Sequence, residues 1–228
     1  MRIAPAAISV LAFCLTAVPF AAQGSSEEAQ RVTESVRVLQ EIMDAGDQSV
    51  PRSIMQKAEG IAIFPSLLKG GFIVGGQHGR GVLSAKDPKT GAWSSPAFLT
   101  INGGSIGAQI GGQAVDLLLV VQNRRGLEQL VNNQFKIGAD ASVAAGPVGR
   151  DTSASTDIQM RAQILSYSRT RGLFAGVTLN GSTIRQDRDA NDRFYGMGYR
   201  TGQIVFDGLG GTPRPVDEWK GMLDRYSR

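Results

Sequence analysis

The chain has 228 residues, is 42% hydrophobic and 19% charged, and carries a formal net charge of +4. That length allows one domain with a sizeable core, and that composition excludes a disordered polyelectrolyte. Glycine makes up 29 of the 228 residues, about 13%, against ~7% in ordinary chains, and without the G-X-Y period of collagen; it implies many tight turns, or strands that approach something closely.

The chain opens with MRIAPAAISVLAFCLTAVPFAAQG: one Arg, an apolar run, then small residues. This is the pattern of a secretory signal peptide, with cleavage expected after Gly24. The apolar run is short and broken by Pro19, which argues against a spanning helix. The bulky Phe13 before Cys14 argues against lipoprotein acylation. Removing residues 1–24 takes away Arg2 and no acidic residue, so the charge falls from +4 to +3. It also takes away Cys14, the only cysteine. The mature protein, expected to be periplasmic or secreted with room for membrane association, then has no thiol chemistry and no cysteine metal site.

Ser25 and Glu28 have the spacing of a capping box. After them, AQRVTESVRVLQEIMDAG places Val32, Val36, Leu39 and Met43 on one helical stripe, widened by Val38 and Ile42, with Gly46 as the stop. VPRSIMQKAEG predicts a second, short helix from Pro51 to a stop at Gly60. From residue 61 the texture changes to short apolar or alternating runs: IAIF, GFIVGG, RGVLSA, SSPAFLTI, AVDLLLVVQ, FKIGADASVAA, QMRAQILSYS and GLFAGVTLNGSTI. KDPKTG (86–91) and RTRG (169–172) read as turns. NRRGLEQLVNN (123–133) predicts one inserted helix and VDEWKGMLDRYS a terminal one. Successive strands without alternating helices predict an α+β fold: a mostly antiparallel, glycine-rich, barrel-like sheet with N-terminal amphipathic helices. The expected organisation is a signal peptide (1–24) and one domain (25–228), with helices over 26–60, a β-rich core over 61–207 and a C-terminal helix over 213–228.

Catalytic patterns are sparse. His78 is the only histidine, and GGQHGRG provides no nucleophile elbow, so His78 reads as an exposed or satisfied turn residue. There is no HExxH, and no glycine-rich loop leads to GK[ST], so no cofactor is expected. RQDRDANDRFYG (185–196) reads as a solvated, self-paired loop; it lacks the glycine and terminal Glu of a calcium loop. A hydrolase carboxylate pair among the scattered aspartates stays open. No basic block or aromatic platform points to nucleic acid.

GADASVAAGPVGR (138–150) is so rich in small residues that it reads either as a spacer or as a strand packed closely against something. It is expected to be an ordered strand ending in a turn at 146–149. Large residues at Ala141 or Ala145 would then overpack.

Read together, AEGIAIFP, GGFIVGGQHGRGVL, FKIGADASVAAGPVGR, ILSYSRTRGLFAGVTLNGS and ANDRFYG resemble the SYLF-domain family over about residues 30–200. The resemblance implies a domain of helices and glycine-rich β structure that binds anionic phospholipid. In animal members an amphipathic N-terminal helix contributes to membrane contact, and residues 29–44 occupy the matching place. Actin binding belongs to fungal members and is not carried to this chain.

The function expected is a non-catalytic lipid-binding module, with cations meeting lipid phosphates and an apolar helix face or strand rim entering the interface. The candidate cations are Arg31, Arg37, Lys57, Lys69 and Lys136, together with Arg124, Arg125, Arg169 and Arg171 at element ends. Two alternatives are a small outer-membrane β-barrel and an envelope protein-interaction module. Against the barrel, the strands look short of the ~10 residues it requires, and aromatic girdles are missing.

Overall fold

IAIF (61–64) and DLLLVV (116–121) are almost unbroken apolar runs, the pattern of strands covered on both faces. The structure, a computed structural model, describes residues 26–71, 74–106, 111–132, 134–149, 161–170, 173–174, 179, 181–211 and 213–228. Among these are nine strands: β1 (Gly60–Gly71), β2 (Val74–Ala85), β3 (Ala97–Ile106), β4 (Gly111–Val121), β5 (Gln134–Lys136), β6 (Val143–Ala145), β7 (Ile164–Thr170), β8 (Leu173–Phe174) and β9 (Thr183–Gln186). The α-helices are α1 (Glu27–Met43), α2 (Arg52–Gln56), α3 (Arg124–Leu130), α4 (Arg188–Tyr195), α5 (Thr201–Phe206) and α6 (Arg214–Ser227).

The strands form one sheet in the order β5-β9-β3-β2-β1-β4-β7-β6, with β8 paired to β7. All pairings are antiparallel except β6 with β7. The sheet curls into half a barrel, the α+β architecture that the succession of strands predicts. β1 to β4 run to 12, 12, 10 and 11 residues, longer than the glycine punctuation implied, because many of those glycines lie within strands. Among the described residues the sheet is open, with β5 and β6 at its edges. Helices cover both faces of its inner part.

Alternation sorts the central strands into two cores. Ile61, Ile63, Val82, Leu118 and Val120 point to one face, where α1 supplies Val32, Val36, Leu39 and Ile42 and α6 supplies Trp219 and Leu223. Ala62, Phe64, Leu83, Leu117 and Leu119 point to the other, against Leu127 and Leu130 of α3 and Ile204 of α5. The polar tips of buried aromatics are satisfied where α6 docks. Trp219 Nε1 donates to Ser84 Oγ at 2.7 Å, Trp93 Nε1 to Ser227 Oγ at 2.9 Å, and Tyr226 OH to Asp44 Oδ1 at 2.9 Å.

Several local expectations shift. Ser26 caps α1, accepting from Ala29 N at 3.2 Å; Glu28 instead accepts from Arg193 Nε at 2.7 Å. Ser25 lies outside the described residues, as does the segment read as a signal peptide. α2 ends at Gln56, and Gly60 begins β1. The stretch 185–196 is not a loop: Asp187 accepts from Ala190 N at 3.2 Å and caps α4, which ends on Gly196 at φ +71°. GGQHGRG is strand, not turn, with His78 exposed on β2. In 138–150 only Val143–Ala145 forms a strand; the backbone then runs without a regular element to Gly149, whose N–H donates to Ser49 O at 3.0 Å. Ala141 is buried, but Ala145 is exposed, so overpacking applies only to the first. The KDPKTG turn forms as expected. Asp87 accepts from Lys89 N and Thr90 N, both at 2.8 Å, and Gly91 takes φ +73°.

One irregularity divides the sheet. Pairing of β1 with β4 shifts by one residue between Phe64 and Leu67, and pairing with β2 shifts between Ile63 and Leu68. Pro65, which has no N–H to give to a ladder, sits in this β-bulge. Ser66 takes φ +51°, and its N–H donates to Asp116 Oδ1 at 2.9 Å. Inward of the bulge the sheet is packed on both faces; outward of it, glycine dominates.

Candidate functional site

The nominated cations do not converge. Arg31 is 7% exposed; its Nη1 donates to Asp187 Oδ2 at 2.9 Å, and its guanidinium lies 5.2 Å from the Phe98 ring centroid. It ties α1 to α4. Arg37 bonds Glu34 at 2.9 Å and Glu41 at 2.5 Å, and the hydrogen bond that Arg37 donates to Glu34 leads the causes that raise its pKa. Arg169 bonds the same Glu41 at 3.2 Å. Arg37 and Arg169 are thereby brought together around one carboxylate. Arg124 bonds Glu128 at 3.1 Å and stacks 4.1 Å from the Phe206 centroid. It and the exposed Arg125 belong to α3, on the opposite face of the sheet from α1. Lys57, the C-cap of α2, and Lys136 on β5 are exposed. Arg171 lies outside the described residues. The apolar stripe of α1 is buried in the core, so that helix face is committed to packing.

Lys69 differs from the rest. It is half-buried on β1, outward of the bulge. Burial lowers its pKa from the usual lysine value, and among the described residues no carboxylate raises it. The register pairs it with Gln77 on β2 and Gln113 on β4. Cross-strand partners share a face, on strands about 4.8 Å apart. Gln113, Lys69 and Gln77 therefore form a polar ladder across three strands. Gln77 is 4% exposed and its amide hydrogen-bonds the buried Ser182 hydroxyl, while its Oε1 is buried with no hydrogen-bond partner. Gln113 Nε2 donates to Thr170 Oγ1 at 3.2 Å. Ser182 reaches Gln77 because residue 103 is glycine: a Cβ there would stand 2.9 Å from Ser182 Cα.

Beyond the ladder the strands are bare. Gly112, Gly70, Gly76 and Gly104 pair in one row across four strands. A Cβ on Gly70, Gly104 or Gly112 would meet nothing within 4 Å. Next to this row Leu68 is 59% exposed, and His78 Nδ1 lies 2.6 Å from Asn102 Oδ1. An open groove of about 590 Å³ is lined by residues 68–70, 76–78 and 112–114. Sequence reasoning selected Lys69 as one cation among many and missed Gln77 and Gln113. The only sequence signal for them is a lone amide set among glycines in an extended run.

Among the described residues no group of His, Cys, Asp and Glu is placed to hold a metal ion, and no helix is long and apolar enough to cross a membrane.

A family model described as Ysc84, Las17-binding protein actin regulator, matches residues 102–226, more than half of the chain. SH3 domain-containing YSC84-like protein 1 of Homo sapiens is 34% identical over 205 residues, covering 88% of this chain and 58% of that protein. LAS seventeen-binding protein 3 of Saccharomyces cerevisiae is 30% identical over 210 residues, covering 91% of this chain and 45% of that protein. This chain thus spans about half the length of the curated relatives it matches. The order of helices and glycine-rich strands, the ANDRFYG helix and these matches agree: the chain belongs to the Ysc84, or SYLF-domain, family.

Proposed function

We propose that this chain is a non-catalytic binding module of the cell envelope, periplasmic or secreted, that meets anionic phospholipid through the outer, glycine-rich rim of its sheet. The observation that carries this reading is the pair Leu68 and Lys69. Leu68, 59% exposed, and the half-buried Lys69 are successive residues of β1 and so present an apolar group and a cation on the two faces of the same rim. Adjacent apolar and cationic groups at a protein edge suit the boundary between acyl chains and phosphates. The rim is favoured over the amphipathic helix because the apolar face of α1 is already buried. The signal-like start of the sequence supports the envelope location.

The test is co-sedimentation with phosphatidylglycerol and phosphatidylcholine vesicles at low and moderate salt. Pelleting with the anionic vesicles, weakened by salt and by Leu68→Ser, is the expected result. No pelleting with either vesicle would overturn the lipid reading. The second reading, a protein-interaction module, is favoured by the names of the family and its yeast relative, which are those of Las17-binding proteins.

A further inference from the structure

Lys69, Gln77 and Gln113 share one face of adjacent strands and leave hydrogen-bonding capacity unused. Lys69 offers three N–H donors, and among the described residues no carboxylate stands beside it. Gln113 uses one amide N–H on Thr170 and retains another. The unpartnered atom of Gln77 is its acceptor Oε1 while Nε2 donates to Ser182 Oγ; with the amide turned over, the Ser182 hydroxyl donates to Oε1 and the Nε2 donor is the one left for a ligand. A buried polar atom without a partner is uncommon and calls for an explanation.

The surroundings suit an incoming ligand. On the ladder's own face, the next residues inward along β1 and β4 are Leu67 and Val115, both buried. The next residues outward are Gly71, Gly75 and Gly111, which pair across the same three strands. The ladder therefore lies between an apolar floor and a row of three glycines.

We infer that Gln113, Lys69 and Gln77 form a binding site for a phosphate group, that of a phospholipid headgroup or of a small phosphate ester. The inference rests on the lipid-binding reading above for its natural source of phosphate, and assigns to that reading three residues that family resemblance does not supply. An ammonium flanked by two amides, each on a separate strand, presents several donors to one tetrahedral oxyanion. Lysine serves such a site as a point charge, and the rigid sheet fixes the spacing. The arginines nominated from sequence are less suited, because Arg31, Arg37, Arg124 and Arg169 already hold carboxylates.

The test has two arms. In the first, Lys69→Met, Gln77→Leu and Arg125→Met proteins are compared with the parent on phosphatidylglycerol vesicles, with thermal melts confirming that each folds. Lys69→Met and Gln77→Leu are expected to weaken binding about tenfold, the order of one charge-assisted hydrogen bond, and Arg125→Met to leave it unchanged. In the second, inorganic phosphate and glycerol 3-phosphate are titrated against protein carrying labelled lysine, and the Lys69 side-chain NMR signal is followed. A saturable shift, absent in Gln77→Leu, is expected. Parent-like vesicle binding by both ladder variants, with no shift on either titration, overturns the site while leaving the lipid reading intact. A saturable shift without vesicle binding supports the site with a soluble ester as ligand and overturns the lipid reading. Failure of the parent in both arms overturns both.

Discussion

The ring of Tyr167 lies against the backbone of Gly146, so close that a Cβ at residue 146 would overlap it. Tyr167 is 2% exposed on β7, and Gly146 follows β6, the strand paired parallel to it. This contact accounts for part of the small-residue tract at 138–150. Gly146→Ala is expected to destabilise by about 1–3 kcal/mol through overpacking. Urea unfolding checks it, as a lower midpoint at unchanged slope. Ala141→Leu should behave likewise, while Ala145→Leu should stay within about 0.5 kcal/mol of the parent, because Ala145 is exposed.

The Tyr167 hydroxyl is buried without a hydrogen-bond partner. Tyr167→Phe keeps the ring and removes that hydroxyl. Stability equal to the parent, or higher by about 1 kcal/mol, is expected. A large loss in the same unfolding experiment would mean that the hydroxyl has a partner in solution, such as a bound water.

Burial raises the phenol pKa of Tyr167 and Tyr195 above the ordinary 10.0. Tyr226 is raised too, by burial and then by its hydrogen bond to Asp44. A raised folded pKa gives stability that is fully present below the unfolded value and lost as pH climbs through the folded one. Lys69 works in the opposite sense: its lowered pKa means that its charge penalises the fold until pH rises toward the ordinary 10.5. Three tyrosines outweigh one half-exposed lysine. The Tm is therefore expected to hold to about pH 10 and to fall above it, with a shallower fall in Tyr167→Phe. Melts across an alkaline pH series decide it.

Arg31 is the cation most firmly tied to the fold. Its bond to Asp187 is nearly dry, with side chains 6% and 14% exposed, and Asp187 also caps α4. Arg31→Met strands that carboxylate and loosens the seam between α1 and α4. A loss on the order of 3 kcal/mol is expected. By contrast, Arg37→Gln, on an exposed i,i+4 network, should cost about 0.5 kcal/mol or less. Equal effects of the two substitutions would refute this division of roles.

Asp116 holds the bulge by accepting the Ser66 N–H. Asp116→Ala leaves that N–H without its side-chain acceptor, costing about 1 kcal/mol. The bulge also sets which residues of β1 face which side beyond it, so the same change is expected to weaken phosphate titration of the Lys69 signal more than it lowers stability. Normal binding at reduced Tm would show that the register beyond the bulge survives without this bond.

Much of the fold was legible because its cause is local. Helical spacing of Val32, Val36, Leu39 and Met43 is enough to predict α1, and the apolar spacing in NRRGLEQLVNN predicts α3, which Asn123 proves to cap by accepting from Gly126 N at 2.8 Å. The turn at Asp87–Gly91 needs only its own five residues. The α+β class followed from the succession of strands, and the family from strings of residues read together. Where local signals misled, a distant partner was the reason. The aspartates of 185–196 read as a solvated loop until Arg31, 156 positions away, gives Asp187 a buried partner. His78 in GGQHGRG reads as a turn residue until Leu67 and Phe64 of β1 are seen packing where side chains on Gly79 and Gly81 would be.

The candidate site divides the same way. Chain order and composition determined that this is a glycine-rich sheet flanked by amphipathic helices, with cations scattered along it. They could not rank those cations, because ion pairing and burial depend on residues far apart in sequence. Only the tertiary structure decided that Arg31, Arg37, Arg124 and Arg169 face carboxylates, that the helix stripe is spent on the core, and that Lys69 stands between Gln77 and Gln113. Those amides lie 8 and 44 residues further along the chain, and a single bulge at Pro65–Ser66 sets the register that brings all three to one face.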